Sequence, residues 1–547
     1  MQKSINSNTG SHSTNTTIES RISLSENLII LIILFVCYLI GGYYLRYFKG
    51  YLPLDALSRM VSAWLVTHGT APKLASIGFI WPPLPTLFLI PLTWIPPLYH
   101  SWMVIVVVSA FFMAFTSVMI AQIAGFCGIA AWTRRILVIL FAVNPVIIIY
   151  AINGMSESIL MAAFLVACYW LIRFWKTKRN ALLIFSAGFF GLLPLIRYEF
   201  VLISAWSGLM ILLLLWERRH AFTSEKFGQF LEGNLLAYGS LLIYPFFLWL
   251  IANWFIMGNP LYFMINNRSN ASVAEVQLSD YRIITTPLNS LLITLWAWVG
   301  TYPLELIAST FLIVLGLRKR SGFLVGLGLM PALIPFLQFF LLLTRSNVPL
   351  LRYYVMVIPL GFLSCIVLLN ALADMNLQIK WHRTASSLIV IFLAILSNIR
   401  SVIQLNTYPY QNVTAATWNL VSNQATQEDA GMTRINQAIE ISQLLSDILP
   451  KDSKVLIDTF GSGFAFLIGA KSHEMFMDYS DPDYDAALLN PQSYVDYILL
   501  PEPKRGNELY AVNMYQKSLY DGRITWVELV DVLPQTIDGW RLYKIVQ

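Results

Sequence analysis

The chain has 547 residues, 57% of them hydrophobic and only 12% charged, with a mean hydropathy of +0.63. Soluble globular chains carry about 25% charged residues, so a string of soluble domains is excluded. The formal net charge of +6 does not point to nucleic acid, because the cations are dispersed in short loops between apolar runs.

Residues 1–25 are rich in Ser, Thr and Asn without apolar periodicity, and read as a disordered cytoplasmic tail. The first apolar run, 28–45, has the length of a membrane span and no cleavage pattern, so it is expected to stay as an anchor. After it comes Asp55, just behind Pro53. From Asp55 to Thr67, Leu57, Met60, Val61, Trp64 and Leu65 fall on one helical face, as in an interfacial helix. Segment 79–98 is apolar but holds Pro82, Pro83, Pro85, Pro91, Pro96 and Pro97. Freed carbonyls go unpaired in hydrocarbon, so a broken or re-entrant piece packed on protein is expected there.

From Trp102 the apolar spans are regular, and the loop charges set the topology. Arg134 and Arg135; Arg173, Lys176, Lys178 and Arg179; Arg218, Arg219 and Lys226; Arg318, Lys319 and Arg320; and Lys380 and Arg383 form successive clusters two spans apart. Alternate loops hold isolated cations such as Arg197, Arg345 and Arg352. Short loops rich in Lys and Arg stay in the cytoplasm, which gives about eleven spans, the N-terminus inside and the C-terminus outside. Residues 258–285 form an outer polar loop, and 286–300 a further apolar piece whose crossing is undecided. Cys37, Cys127, Cys168 and Cys365 lie in or beside apolar segments without metal-ligand spacing and read as buried small hydrophobes.

After residue 404 the composition becomes that of a soluble domain. Segments 455–458, 474–478, 495–500 and 540–546 read as short buried strands, with helices expected at 433–449, 483–489 and 507–520. The expected organisation is therefore a tail (1–25), a mainly α polytopic bundle (26–404) with a first outer loop at 47–100, and a small extracytoplasmic α/β domain (405–547). Aromatic residues at 14% suit both interface belts and a lined cavity.

The outer side carries the residues with chemistry. Asp55 reads either as a turn residue paired with Arg59 four positions on or as a general base. Glu157, at the edge of an apolar segment, is either a solvated loop acid or the marker of a cavity. Arg197 is a phosphate clamp or an interface anchor, and Arg352 a phosphate partner or a snorkelling side chain. Glu199 lies two residues from Arg197, a spacing that does not put the two on one helix face. Lys73 and His68 in the first loop are further candidates. Acids and arginines converging on one rim of a greasy bundle suit a lipid carrying a phosphate. Walker A, GxGxxG, HExxH and CxxC patterns are absent from the sequence. Carboxylates alone are also a donor set for Mg or Mn, so a divalent ion stays open.

In its order of features the chain resembles the GT-C superfamily of polytopic glycosyltransferases, the protein-mannosyltransferase and aminoarabinose-transferase type. The resemblance rests on Asp55 opening the outer loop, then Pro82-Pro83-Leu84, then Asn144-Pro145 leading to the turn acid Glu157. The Arg352-Tyr353 pair and the terminal α/β domain complete it. It implies inverting transfer of a sugar from a polyprenyl-phosphate donor to a lipid, glycan or protein acceptor at the plasma membrane. By the same resemblance Asp55 is the general base, Glu157 lines the pocket and Arg352 neutralises the donor phosphate. The chain departs from the pattern in a single first-loop acid and in Glu157 where Asp is usual. A lipid or solute transporter and a non-catalytic membrane scaffold remain as alternatives. The first predicts internal repeats, which the sequence lacks, and the second leaves the proline-rich loop without a purpose.

Overall fold

The computed structural model describes residues 23–546 except 267, 270–272, 275–276, 280, 375–379, 412, 427–431 and 505–506. Residues 1–22, most of the expected tail, lie outside the described residues. The remainder of that tail is not loop: Ser23 accepts from the Glu26 backbone N–H at 3.0 Å and caps the helix Leu24–Tyr47.

Among the described residues, eight helices are long and apolar enough to cross a membrane. Two further apolar helix pairs are sharply bent, as in a broken span or a re-entrant loop. Ala131–Ala142 meets Pro145–Ile152 at 62°, and Pro287–Thr301 meets Pro303–Lys319 at 94°. Both breaks fall where proline, lacking an N–H, starts the second limb. At the first, the Asn144 side chain accepts from the Val146 and Ile147 backbone N–H groups, so the restarted helix is capped inside the bundle. The undecided piece at 286–300 is thus the first limb of such a bent pair. The shorter apolar helix Ala181–Leu195 occupies the place of the remaining expected crossing. The chain is a polytopic, mainly α membrane protein.

The proline-rich segment forms a helix of only ten residues, Leu84–Thr93, and a single turn, Pro96–His100. Ten residues rise about 15 Å, half the ~30 Å of a bilayer core, so this piece does not cross.

Side-chain contacts gather the cationic loops at one end. Glu26 binds Arg134 at 3.0 Å and Arg135 at 3.1 Å. Arg173 and Lys176 lie over the Phe126 ring, and Asn370 bonds the Cys127 carbonyl at 2.9 Å. Lys319 reaches the Ala371 carbonyl at 2.8 Å, Glu217 accepts from the Gly322 N–H, and Arg383 approaches the Ala373 carbonyl at 3.4 Å.

At the other end the chain after Thr407 builds a five-stranded sheet. Its strands are β1 (Val455–Leu456), β2 (Phe476–Met477), β3 (Tyr497–Leu500), β4 (Val527–Val530) and β5 (Arg541–Ile545), in the order β2-β1-β3-β5-β4. β1 pairs parallel with β2 and β3, while β5 runs antiparallel to β3 and β4. The α/β layer matches the expected one, with β4 added at an edge. The expected helix at 507–520 is broken into Asn507–Leu509 and Ala511–Tyr515.

This unit sits directly on the helix Leu54–His68. The Tyr479 hydroxyl donates to the Ser76 carbonyl at 2.6 Å and lies 3.2 Å from the Ser62 hydroxyl, and the His473 ring covers Trp64 at 3.8 Å. Leu57, Met60, Val61, Trp64 and Leu65 are accordingly buried. The expected interfacial helix has its apolar face against protein, because the proline-rich helix Leu84–Thr93, the turn Leu74–Ile77 and the C-terminal unit cover what lipid would otherwise cover.

Candidate active site

Asp55 stands in the first turn of Leu54–His68, where Pro53 sets the extended backbone ahead of the helix but offers no side-chain cap. Its carboxylate does not pair with Arg59. Instead Asp55 Oδ2 accepts from Arg352 Nη1 at 2.7 Å, across 297 residues of sequence. Arg352 lies in the turn Leu351–Tyr354 at the head of a span, and its Nη2 also reaches the Tyr353 hydroxyl at 3.3 Å. Arg59 turns the other way, donates to the Pro82 carbonyl at 3.2 Å and lies over the Trp81 ring at 4.8 Å. The proline-rich segment therefore holds one cation of the site by a backbone carbonyl that lies just ahead of its short helix.

A second ion cluster faces the first across Tyr353. Arg197 Nη1 binds Glu157 Oε1 at 2.5 Å, and Arg197 Nη2 binds Glu199 Oε1 at 2.6 Å. The Arg197 and Arg352 guanidiniums lie 5.1 and 5.2 Å from the Tyr353 ring centroid. Arg197 is extended (φ −151°, ψ 126°) before the 3-10 turn Tyr198–Phe200. That break lets residues two apart meet, which a helix would have forbidden. Glu157 is fully buried and its Oε2 has no hydrogen-bond partner among the described residues, nor has the buried Nε of Arg352.

Asp55, Arg59, Trp81, Arg197, Tyr198, Glu199 and Arg352 line a common cleft of about 50 Å3. Ligand sites run to about 300–1,000 Å3, so the cleft as it stands is drawn closed around its own ion pairs. Among the described residues Arg59 has no carboxylate within ion-pair distance. Burial lowers its pKa to about 10, with Asp55 and Glu157 pulling the other way, and it stays cationic at neutral pH.

Lys73 and His68 stand outside the cleft. Lys73 is exposed ahead of the turn Leu74–Ile77, and His68 is exposed and stacks on Trp64 at 5.0 Å. Among the described residues no three His, Cys, Asp or Glu side chains gather as a metal would need. The cleft's carboxylates are each taken by a guanidinium. The donor set does not fit Mg or Mn.

Sequence reasoning passed over Trp81 and Tyr198, whose aromatic character was visible but whose place was not. It also passed over Glu305, a fully buried acid beside the bend at Pro303. Glu305 accepts from Trp298 Nε1 at 2.7 Å and bonds the Ser309 hydroxyl at 2.6 Å. Not every acid of the spans lies at the rim.

A bundle of straight and bent spans, a broken outer-loop helix led by an acid and a small α/β unit seated on that helix define the fold class, a polytopic helical bundle capped by a small α/β unit. The chain is similar over that whole layout to ArnT from Cupriavidus metallidurans in its apo state, with a TM-score of 0.50 and 13% identity. The superposition covers 95% of this chain and 98% of the other. No family profile matches the sequence, and no curated protein sequence does.

Proposed function

We propose that this protein is a membrane glycosyltransferase that moves a sugar from a polyprenyl-phosphate donor to an acceptor hydroxyl, with Asp55 as general base. The observation that carries the reading is the cleft itself, where one accessible carboxylate is set among three guanidiniums at the rim of an apolar bundle. The positive-inside rule places the cation-rich end in the cytoplasm. The cleft and the C-terminal α/β unit then lie on the extracytoplasmic side, with the N-terminus inside.

The ion pairs suggest an order of events. Arg59, unpaired, is the first cation an incoming phosphate meets. A phosphate with more charge than one carboxylate then competes for Arg352. As Arg352 shifts towards it, Asp55 is released from its 2.7 Å bond and is free to accept a proton. In the displacement the acceptor oxygen bonds to the anomeric carbon and the proton passes to Asp55. The bond from that carbon to the phosphate oxygen breaks, and its electron pair leaves on the phosphate, where Arg59 and Arg352 face the charge. Attack opposite the leaving group inverts the anomeric centre. Glu157 and Glu199 hold Arg197 in place behind the site. In contrast, a transporter needs charges that line a path between the two faces, and here they ring a closed cleft at one end.

The test uses the full chain in liposomes with radiolabelled polyprenyl-phosphate monosaccharides. Asp55→Asn should lower transfer by about 100-fold to 10,000-fold, the usual range for a positioned base, with donor binding largely retained. Full transfer by that variant would remove Asp55 as base, and no transfer by the unaltered protein from any such donor would remove the enzyme reading.

A further inference from the structure

Far from the catalytic cleft, at the end where the cation clusters gather, a larger cavity of about 170 Å3 opens between the spans. Three segments wall it: the turn 128–132, the end of a span at 369–373, and the first turns of the helix Lys380–Thr407. Its two sides differ in chemistry. Trp132, Leu369 and Leu372 make an apolar wall, while Arg383 and Ser387 face it from the starting helix.

Among the described residues neither Arg383 nor Ser387 has a side-chain partner. Among the described residues Arg383 has no carboxylate within ion-pair distance. Among the described residues it makes one long bond, 3.4 Å, to the Ala373 carbonyl at the cavity mouth. Ser387 is only 9% exposed, and its hydroxyl makes no hydrogen bond among the described residues. That hydroxyl lines the cavity and can donate to an anionic group placed there. Arg134 and Arg135 nearby are spent on Glu26, so among the described residues lining the cavity Arg383 is the permanent cation on offer. The depth is that of the membrane surface, since Trp132 and Trp381 are 40% and 72% exposed beside it, as in an interfacial aromatic belt.

We propose that this cavity binds the phosphate-bearing headgroup of an anionic glycerophospholipid from the leaflet at the cationic face. Arg383 and the Ser387 hydroxyl hold the phosphate oxygens, and the glycerol and first methylenes lie against Trp132, Leu369 and Leu372. Basic hollows between spans on the cytoplasmic side are where anionic lipids accumulate. The inference rests on the bundle and its charge placement, not on the transferase reading, and its readout is binding rather than transfer.

The experiment follows thermal unfolding of the full chain in neutral maltoside micelles titrated with dioctanoyl-phosphatidylglycerol, dioctanoyl-phosphatidylcholine or inorganic phosphate. The expected result is a saturable rise in Tm with phosphatidylglycerol alone. Arg383→Gln should move the titration midpoint about tenfold, a loss of about 1.4 kcal/mol, and Ser387→Ala should move it in the same direction. Arg135→Gln, which removes the same charge from an exposed side chain outside the cavity, should leave the midpoint in place. Three results would each overturn the proposal: an equal response to phosphatidylcholine, the same saturable rise with phosphate alone, or an equal shift from Arg135→Gln.

Discussion

Replacing Glu157 by Gln keeps the volume and one oxygen of the side chain while removing the charge that holds Arg197. Glu157 is fully buried and its partner is 12% exposed, so water compensates little. A hydrogen bond to a charged group contributes about 1.5–3 kcal/mol, and the single substitution should cost about that. Arg197 would still hold Glu199 at 2.6 Å. Glu199→Gln alone should cost less, because Glu199 is 18% exposed. The double variant strands a nearly buried guanidinium with no carboxylate, and breaking a buried pair in this way costs about 3–5 kcal/mol. The second removal should therefore cost more than the first, by at least about 1 kcal/mol. The midpoint of SDS-induced unfolding in mixed micelles, measured for all four proteins of the cycle, reads the coupling. Additivity within about 0.5 kcal/mol would refute the shared guanidinium and with it the second ion cluster.

Two more outcomes follow from the seam and from the turn before Glu157. Burial, with His68 and His100 adding to it, lowers the His473 pKa from 6.5 to about 4. The unfolded chain then binds the proton more readily than the folded one, so stability is full above pH 6.5 and falls as the pH drops towards 4. The loss approaches about 3 kcal/mol at the acid end. His473→Phe keeps a ring on Trp64 and should flatten the unfolding midpoint over that interval, whereas an unchanged acid slope would assign the sensitivity elsewhere. Gly154 has φ +79°, and a Cβ added there would stand 2.8 Å from Ile105. Gly154→Ala should cost about 1–3 kcal/mol of stability and displace the turn carrying Glu157. A wild-type Tm with undiminished transfer would contradict that geometry.

Composition and charge order were enough to read a membrane bundle, because hydrophobic length and loop cations act locally and each leaves its mark in consecutive residues. The proline-rich segment was legible for the same reason, since proline breaks a helix wherever it falls. The broken spans at Asn144-Pro145 and Tyr302-Pro303 were less so, because proline marks a bend without giving its angle. The cleft was legible in its charged members Asp55, Arg59, Arg197 and Arg352, and not in their pairings. Asp55 and Arg59, four apart, suggested a helical pair, yet Asp55 binds Arg352 and Arg59 binds the Pro82 carbonyl. Arg197 and Glu199, two apart, suggested no contact, yet an extended residue before a 3-10 turn joins them. Local periodicity decides which residues share a helix face. Which guanidinium meets which carboxylate depends on the packing of spans hundreds of residues apart, and only the tertiary structure determines that.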